Sequence, residues 1–187
     1  MSQHMGRVIA GTAMCLRAKA FPTEGVPVRA FQKNIMVPHN KGTAEEVENA
    51  KRIDQLYREE RFDEICPAHD MRLTTIIAEA RRMINLADMP DDKELYISGV
   101  AMGDFALVGF PGEPFTVIGT EVKNASPFAM TFAACCANGY EGYYPAESAY
   151  AEGGYEAKTA KYKAGVAETL IATGKEVLET LHTQKSE

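Results

Sequence analysis

The sequence predicts an α/β fold: a mixed sheet with a βαβ unit, flanking helices and a C-terminal amphipathic helix. Three observations predict it. Short β-branched and apolar runs alternate with stretches whose apolar residues recur at helical spacing. Between residues 105 and 136 an apolar run, a helical run and a second apolar run follow one another, the pattern of two parallel strands joined by a crossover. Near the C-terminus, Val166, Leu170, Val177 and Leu181 fall on one stripe.

The first residues carry no such pattern. Met1 to His4, followed by a second methionine at Met5, are set aside as a disordered or appended terminus of residues 1–6. Residues 7–187 then form a single α/β domain or part of one. Val28 to Val37 has the composition of a strand, ended by Pro38 and the polar turn His39-Asn40-Lys41-Gly42. Thr43 with Glu46 three residues on makes a capping box, and Val47, Ala50, Ile53 and Tyr57 continue a helix to about Arg61. Past the loop Cys66-Pro67-Ala68-His69-Asp70, a second helix spans Met71 to Ala87, with Ile76, Ile77, Ala80, Met83 and Ile84 on its apolar side; Pro90-Asp91-Asp92 stops it.

Leu95 to Val100 and Phe105 to Phe110 form two strands of a hairpin through Met102-Gly103-Asp104, where Asp104 is a turn residue. Pro114 opens a helix, since proline at the first helical position loses no intrahelical bond, and Phe115, Ile118 and Val122 share one face to about Lys123. Phe128 to Cys136 then forms an apolar, buried strand. Six of the eight tyrosines lie between Tyr140 and Tyr162, interleaved with glycines in a long ordered loop where Tyr150 and Tyr155 are core aromatics. The final helix covers the sheet from about Ala160 to Leu181.

Composition narrows the function. With 187 residues, 45% hydrophobic and 25% charged, the chain has the makeup of one compact core. A net charge of −6 without a clustered basic face excludes a nucleic-acid partner. No apolar run is long enough to span a bilayer, and no signal peptide is visible. Cys15, Cys66, Cys135 and Cys136 lack zinc or redox spacing and are expected to be small buried thiols, which favours a reducing, cytoplasmic compartment. Ser148 lies in no nucleophile elbow.

Chemistry concentrates in two turns that each follow an apolar strand: Pro111-Gly112-Glu113 and Asn138-Gly139-Tyr140-Glu141-Gly142-Tyr143. Functional loops of βαβ units sit at such carboxyl ends. Taken alone, Glu113 is equally an acid placed at a positive helix end, and Tyr143 a packed aromatic with a bonded hydroxyl.

The run from Gly103 to Thr116, then Asn138-Gly139-Tyr140-Glu141-Gly142-Tyr143, Tyr150 and Gly154-Tyr155-Glu156-Ala157 resembles the C-terminal half of the catalytic domain of the neutral/alkaline non-lysosomal ceramidase family. The likeness extends more loosely upstream through the capped helix and the Arg72 to Arg82 helix. It implies zinc-dependent hydrolysis of N-acylsphingosine or a related N-acyl amide. In that family one zinc is held by two histidines from the N-terminal half of the domain, the glutamate of Pro-Gly-Glu and the second tyrosine of Asn-x-Tyr-x-x-Tyr. The resemblance therefore implies Glu113 and Tyr143 as metal ligands. It also implies Tyr143 and Tyr140 as the catalytic tyrosines, Tyr143 near the oxyanion and Tyr140, with Asn138, supporting it.

The segments bearing the two histidine ligands have no counterpart here. His39 and His69 lie in no His-x-His or His-x-x-x-His pattern and are expected in a solvated loop or cap, and His182 sits near a helix end. The isolated chain is accordingly expected to bind zinc poorly and to be inactive, with the missing N-terminal half or a second chain as its partner. Its substrate is a lipid or another N-acyl amide, and the pocket walls that would choose among them are not legible. The alternative is a non-catalytic oligomerising or interaction module derived from that domain, with homo-oligomers covering its apolar surface.

Overall fold

In the computed structural model, which describes residues 1–22 and 24–184, the chain is α/β as the sequence predicts. The elements run α1 (Ser2–Lys19), β1 (Val28–Pro38), α2 (Ala44–Arg58), α3 (Phe62–Ile65), α4 (Met71–Ala87), β2 (Asp92–Met102), β3 (Phe105–Gly109), β4 (Glu113–Pro114), α5 (Thr116–Asn124), β5 (Met130–Ala134), β6 (Tyr143–Tyr144), α6 (Glu147–Glu152), α7 (Tyr155–Thr159) and α8 (Val166–Thr183). Among the described residues no helix is long and apolar enough to cross a membrane.

Four strands form one mixed sheet in the order β1-β2-β3-β5. The pairings β1–β2 and β2–β3 are antiparallel, and Gly103-Asp104 closes the second hairpin between the paired residues Met102 and Phe105. β3 and β5 run parallel, joined through α5, so the βαβ unit is present. β4 and β6 make a separate two-stranded parallel ladder.

The core lies between one face of this sheet and α8. Leu95, Ile97, Ala101, Ala106 and Val108 point from the strands to meet Leu170, Val177, Leu178 and Leu181, all at most 1% exposed. Each such large aliphatic contributes roughly 1.5–3 kcal/mol by leaving water. The helix comes so close at Gly99 that an added Cβ would stand 2.5 Å from Val177 Cγ1. A second, smaller packing unit pairs α2 with α4. Thr43 and Glu46 cap α2 reciprocally, as the sequence predicts. Asp54 ties the two helices together by accepting from Arg58 Nε (2.7 Å) and Arg81 Nε (2.9 Å).

Several expected boundaries move for identifiable reasons. α2 ends at Arg58 rather than Arg61. Pro114 does not open α5: the N–H groups of Glu113 and Phe115 donate to Gly142 O (2.8 Å) and Tyr144 O (3.2 Å), so this stretch is a strand and the helix waits until Thr116. α8 starts at Val166 rather than Ala160, because Tyr162 is bridged to His39 and Gly165 takes a left-handed conformation at φ 96°. Phe128 to Cys136 is not a buried strand. β5 is five residues long at the sheet edge, with Met130 and Phe132 exposed, because α8 covers only one face. Residues 1–6, set aside above, fall within α1 apart from Met1. Of the cysteines, only Cys66 is buried; Cys15, Cys135 and Cys136 are exposed, the last two in irregular backbone just beyond β5.

Candidate functional site

The site grows from the way β3 ends. After Gly109 the chain cannot continue the strand, because Pro111 lacks a donor, and Gly112 packs where no side chain fits: a Cβ there would lie 2.5 Å from Gly142 O and 2.7 Å from Tyr144 Cε2. The loop beyond β5 folds against this turn. Cys136 N donates to Gly112 O (2.7 Å), Ala137 N to Phe110 O (2.8 Å) and Glu141 N to Pro111 O (2.8 Å). Cys136 and Asn138 adopt positive φ, 52° and 63°, to make these contacts; asparagine accepts this readily, and cysteine does so at a cost. Asn138 Nδ2 also donates to Ser98 Oγ at 2.6 Å, which pins the loop to β2.

The two turns then meet as β4 and β6. Glu113 and Tyr143 are direct register partners in this parallel ladder, which places their side chains on the same side. Tyr140 joins them, its hydroxyl donating to Glu113 Oε1 at 2.8 Å. The Tyr143 ring meets the Tyr155 ring edge-on, with centroids 6.3 Å apart. Glu113 and Tyr143 line a wide, open cavity of about 520 Å³ with Phe115, Val117, Ala146 and Glu156. All three sequence-predicted site residues, Glu113, Tyr140 and Tyr143, are therefore brought together.

Both phenols are raised above their ordinary value. The Tyr140 hydroxyl is held above its ordinary value by its bond to the Glu113 carboxylate and by that charge. Tyr143 is raised first by desolvation, then by the charge of Glu113, with smaller contributions from Tyr155 and Glu156. The Cys136 thiol is also raised, by desolvation and then by Cys135 and Glu113, so it is not an activated nucleophile.

Beneath the site lies a platform that the sequence reading missed. Tyr144, next to Tyr143, points the opposite way, as strand alternation requires; it is fully buried and donates to Pro111 O at 3.2 Å. Its ring stacks on Tyr162 at 5.6 Å, and Tyr162 stacks on His39 at 5.6 Å. The Tyr162 hydroxyl donates to Glu141 Oε2 (3.1 Å), which also accepts from Lys161 Nζ (3.2 Å). Desolvation pushes the phenols of Tyr144 and Tyr162 far up. Tyr144 and Tyr162 are thus the core aromatics, whereas Tyr150 and Tyr155 are only half-buried; Tyr150 donates to Tyr162 O at 2.8 Å.

The histidines lie elsewhere. His39 is not in a solvated loop: it is 4% exposed, and its Nδ1, facing a carbonyl, donates to Pro90 O at 2.8 Å. His69 Nε2 pairs with Asp63 Oδ1 at 2.8 Å, and His182 packs edge-on against Phe128. A catalytic zinc needs about three protein donors. Glu113 and Tyr143 supply two, and among the described residues no group of three or more His, Cys, Asp or Glu side chains is placed to hold a metal ion. These residues do not by themselves make a zinc centre.

No family model and no curated protein matches the sequence. Among solved structures, the chain is similar to the neutral ceramidase from Pseudomonas aeruginosa and to a ceramidase complexed with C2, in each case at 21% identity with a TM-score of 0.39 over 52% of this chain. The match covers 17% of each ceramidase chain. At that identity and TM-score the likeness assigns no activity.

Proposed function

We propose that this chain carries part of the active site of a ceramidase-type hydrolase of N-acyl amides. The supporting observation is the direct cross-strand pairing of Glu113 with Tyr143, with Tyr140 bonded to the same carboxylate. Two motifs far apart in sequence converge on one cavity through Glu113 and Tyr143, and their chemistry is complementary. Glu113 offers a carboxylate to a metal. Tyr143, kept protonated at neutral pH, can donate a hydrogen bond to an oxygen that gains charge when an amide carbonyl is attacked. Tyr140 fixes the Glu113 rotamer. In this reading the nitrogen ligands of a zinc come from outside these residues, and the isolated chain is inactive.

The test joins the chain to a flanking or separate segment that bears two histidine motifs and measures fatty-acid release from an N-acylsphingosine with zinc present. Release is expected, falling on the order of 100-fold in Glu113→Gln. Release unaffected by Glu113→Gln and Tyr143→Phe would contradict the proposal. The uncovered face of the sheet favours a second reading, an interaction module without catalysis. That reading expects no release from any such combination.

A further inference from the structure

The sheet has two faces, and α8 covers one. Strand alternation and register bring Val28, Met36, Val100, Met102, Met130 and Phe132 together on the other. All six are exposed, Val28 at 67% and Phe132 at 52%. These exposed apolar side chains come from β1, β2 and β5, and an apolar patch left on a sheet face marks an interaction surface. Asp92 and Glu94 also project from this face, and no Lys or Arg does so from its four strands.

Among the described residues, one 18-residue helix, α1, buries none of its side chains. Met5, Val8, Ile9 and Leu16 fall on one stripe, with Arg7 on the opposite side and Arg17 and Lys19 at the C-terminal end of the helix. The helix contains Arg7, Arg17 and Lys19 and no acidic residue, so of the net charge of −6 it contributes +3 and the remainder −9. An isolated amphipathic helix of this length is marginal in water without a packing partner.

We propose that α1 docks through this stripe on the uncovered face of its own sheet and forms a second helical layer. The dimensions agree: 18 helical residues extend about 27 Å, and the 11-residue strands β1 and β2 about 36 Å. Residues 20–27 join α1 to β1 at Val28, a corner of that face, and eight residues reach up to about 27 Å. So short a tether gives the helix a high effective concentration over its own sheet. The basic helix and a face whose charged groups, Asp92 and Glu94, are acidic attract one another overall.

Cys15 provides the probe, since it lies seven residues from Val8 and so on the flank of the stripe. Site-resolved alkylation by N-ethylmaleimide, read by peptide mass spectrometry, is compared between the natural chain and Ile9→Asp, Val100→Asp and Phe132→Ser. Cys15 is expected to react about tenfold slower in the natural chain than in each variant, at every protein concentration. Buried Cys66 must stay slow in any variant used, which shows that the body remains folded; if Val100→Asp exposes it, Phe132→Ser carries the comparison. Equal Cys15 rates in all chains overturn the proposal. Protection that vanishes on dilution assigns the face to a second copy instead. Protection relieved by Ile9→Asp but by neither sheet variant places the helix elsewhere and also overturns it.

Discussion

At the scale of single residues, the site rests on one carboxylate that serves two phenols. Glu113 accepts from Tyr140 and faces Tyr143 across the ladder, and its charge raises both hydroxyls. Removing that charge should release Tyr140. In Glu113→Gln, tyrosinate absorbance against pH is expected to show Tyr140, and to a lesser extent Tyr143, shifting down towards the ordinary value of about 10; an unchanged titration would mean that the pair is not formed in solution. Glu113 and Tyr143 were legible in the sequence because each stands where an apolar strand breaks into a Pro- or Gly-rich turn. Tyr144 was not, because adjacent tyrosines look alike until one of them is known to lie in a strand; alternation then sends it to the core. His39 was misread for a related reason: a histidine beside Pro38 and Asn40 has the neighbours of a turn, and only its stacking on Tyr162 buries it.

At the scale of elements, local signals survived where they were self-sufficient. The reciprocal cap at Thr43 and Glu46 and the helix Met71–Ala87 need only nearby residues, and both occur as the sequence predicts. β5 and the start of α5 depend on partners distant in sequence, which a periodicity cannot reveal: which sheet faces are covered, and which carbonyls claim the N–H groups of Glu113 and Phe115. The α2–α4 pair offers a stability test. Asp54 lies below the usual carboxylate range because Arg81 and then Arg58 hydrogen-bond its charged form, against the cost of desolvation. A folded-state value depressed in this way contributes stability above the unfolded value near 3.9 and loses it as pH falls through the folded value. Asp54→Asn should therefore cost about 1.5–3 kcal/mol at neutral pH by denaturant unfolding, and the difference should shrink below about pH 4. A pH-independent difference would point to packing rather than charge.

At the scale of the whole molecule, the sheet and its α8 layer act as a scaffold that aims two turns at one cavity. The stacked column His39, Tyr162 and Tyr144 ends at Pro111 O and braces the Pro111-Gly112-Glu113 turn from below, so Glu113 sits on packed core rather than on a free loop. Under the proposed function Glu113 and Tyr143 offer one carboxylate and one phenol to a metal, while His39, His69 and His182 are engaged by Pro90, Asp63 and Phe128. Calorimetric titration of the chain with zinc tests this account most directly. The account expects weak binding that declines further in Glu113→Gln and Tyr143→Phe and is unchanged in His39→Ala and His69→Ala. Tight stoichiometric binding that depends on His39 or His69, and is indifferent to Glu113 and Tyr143, would contradict it.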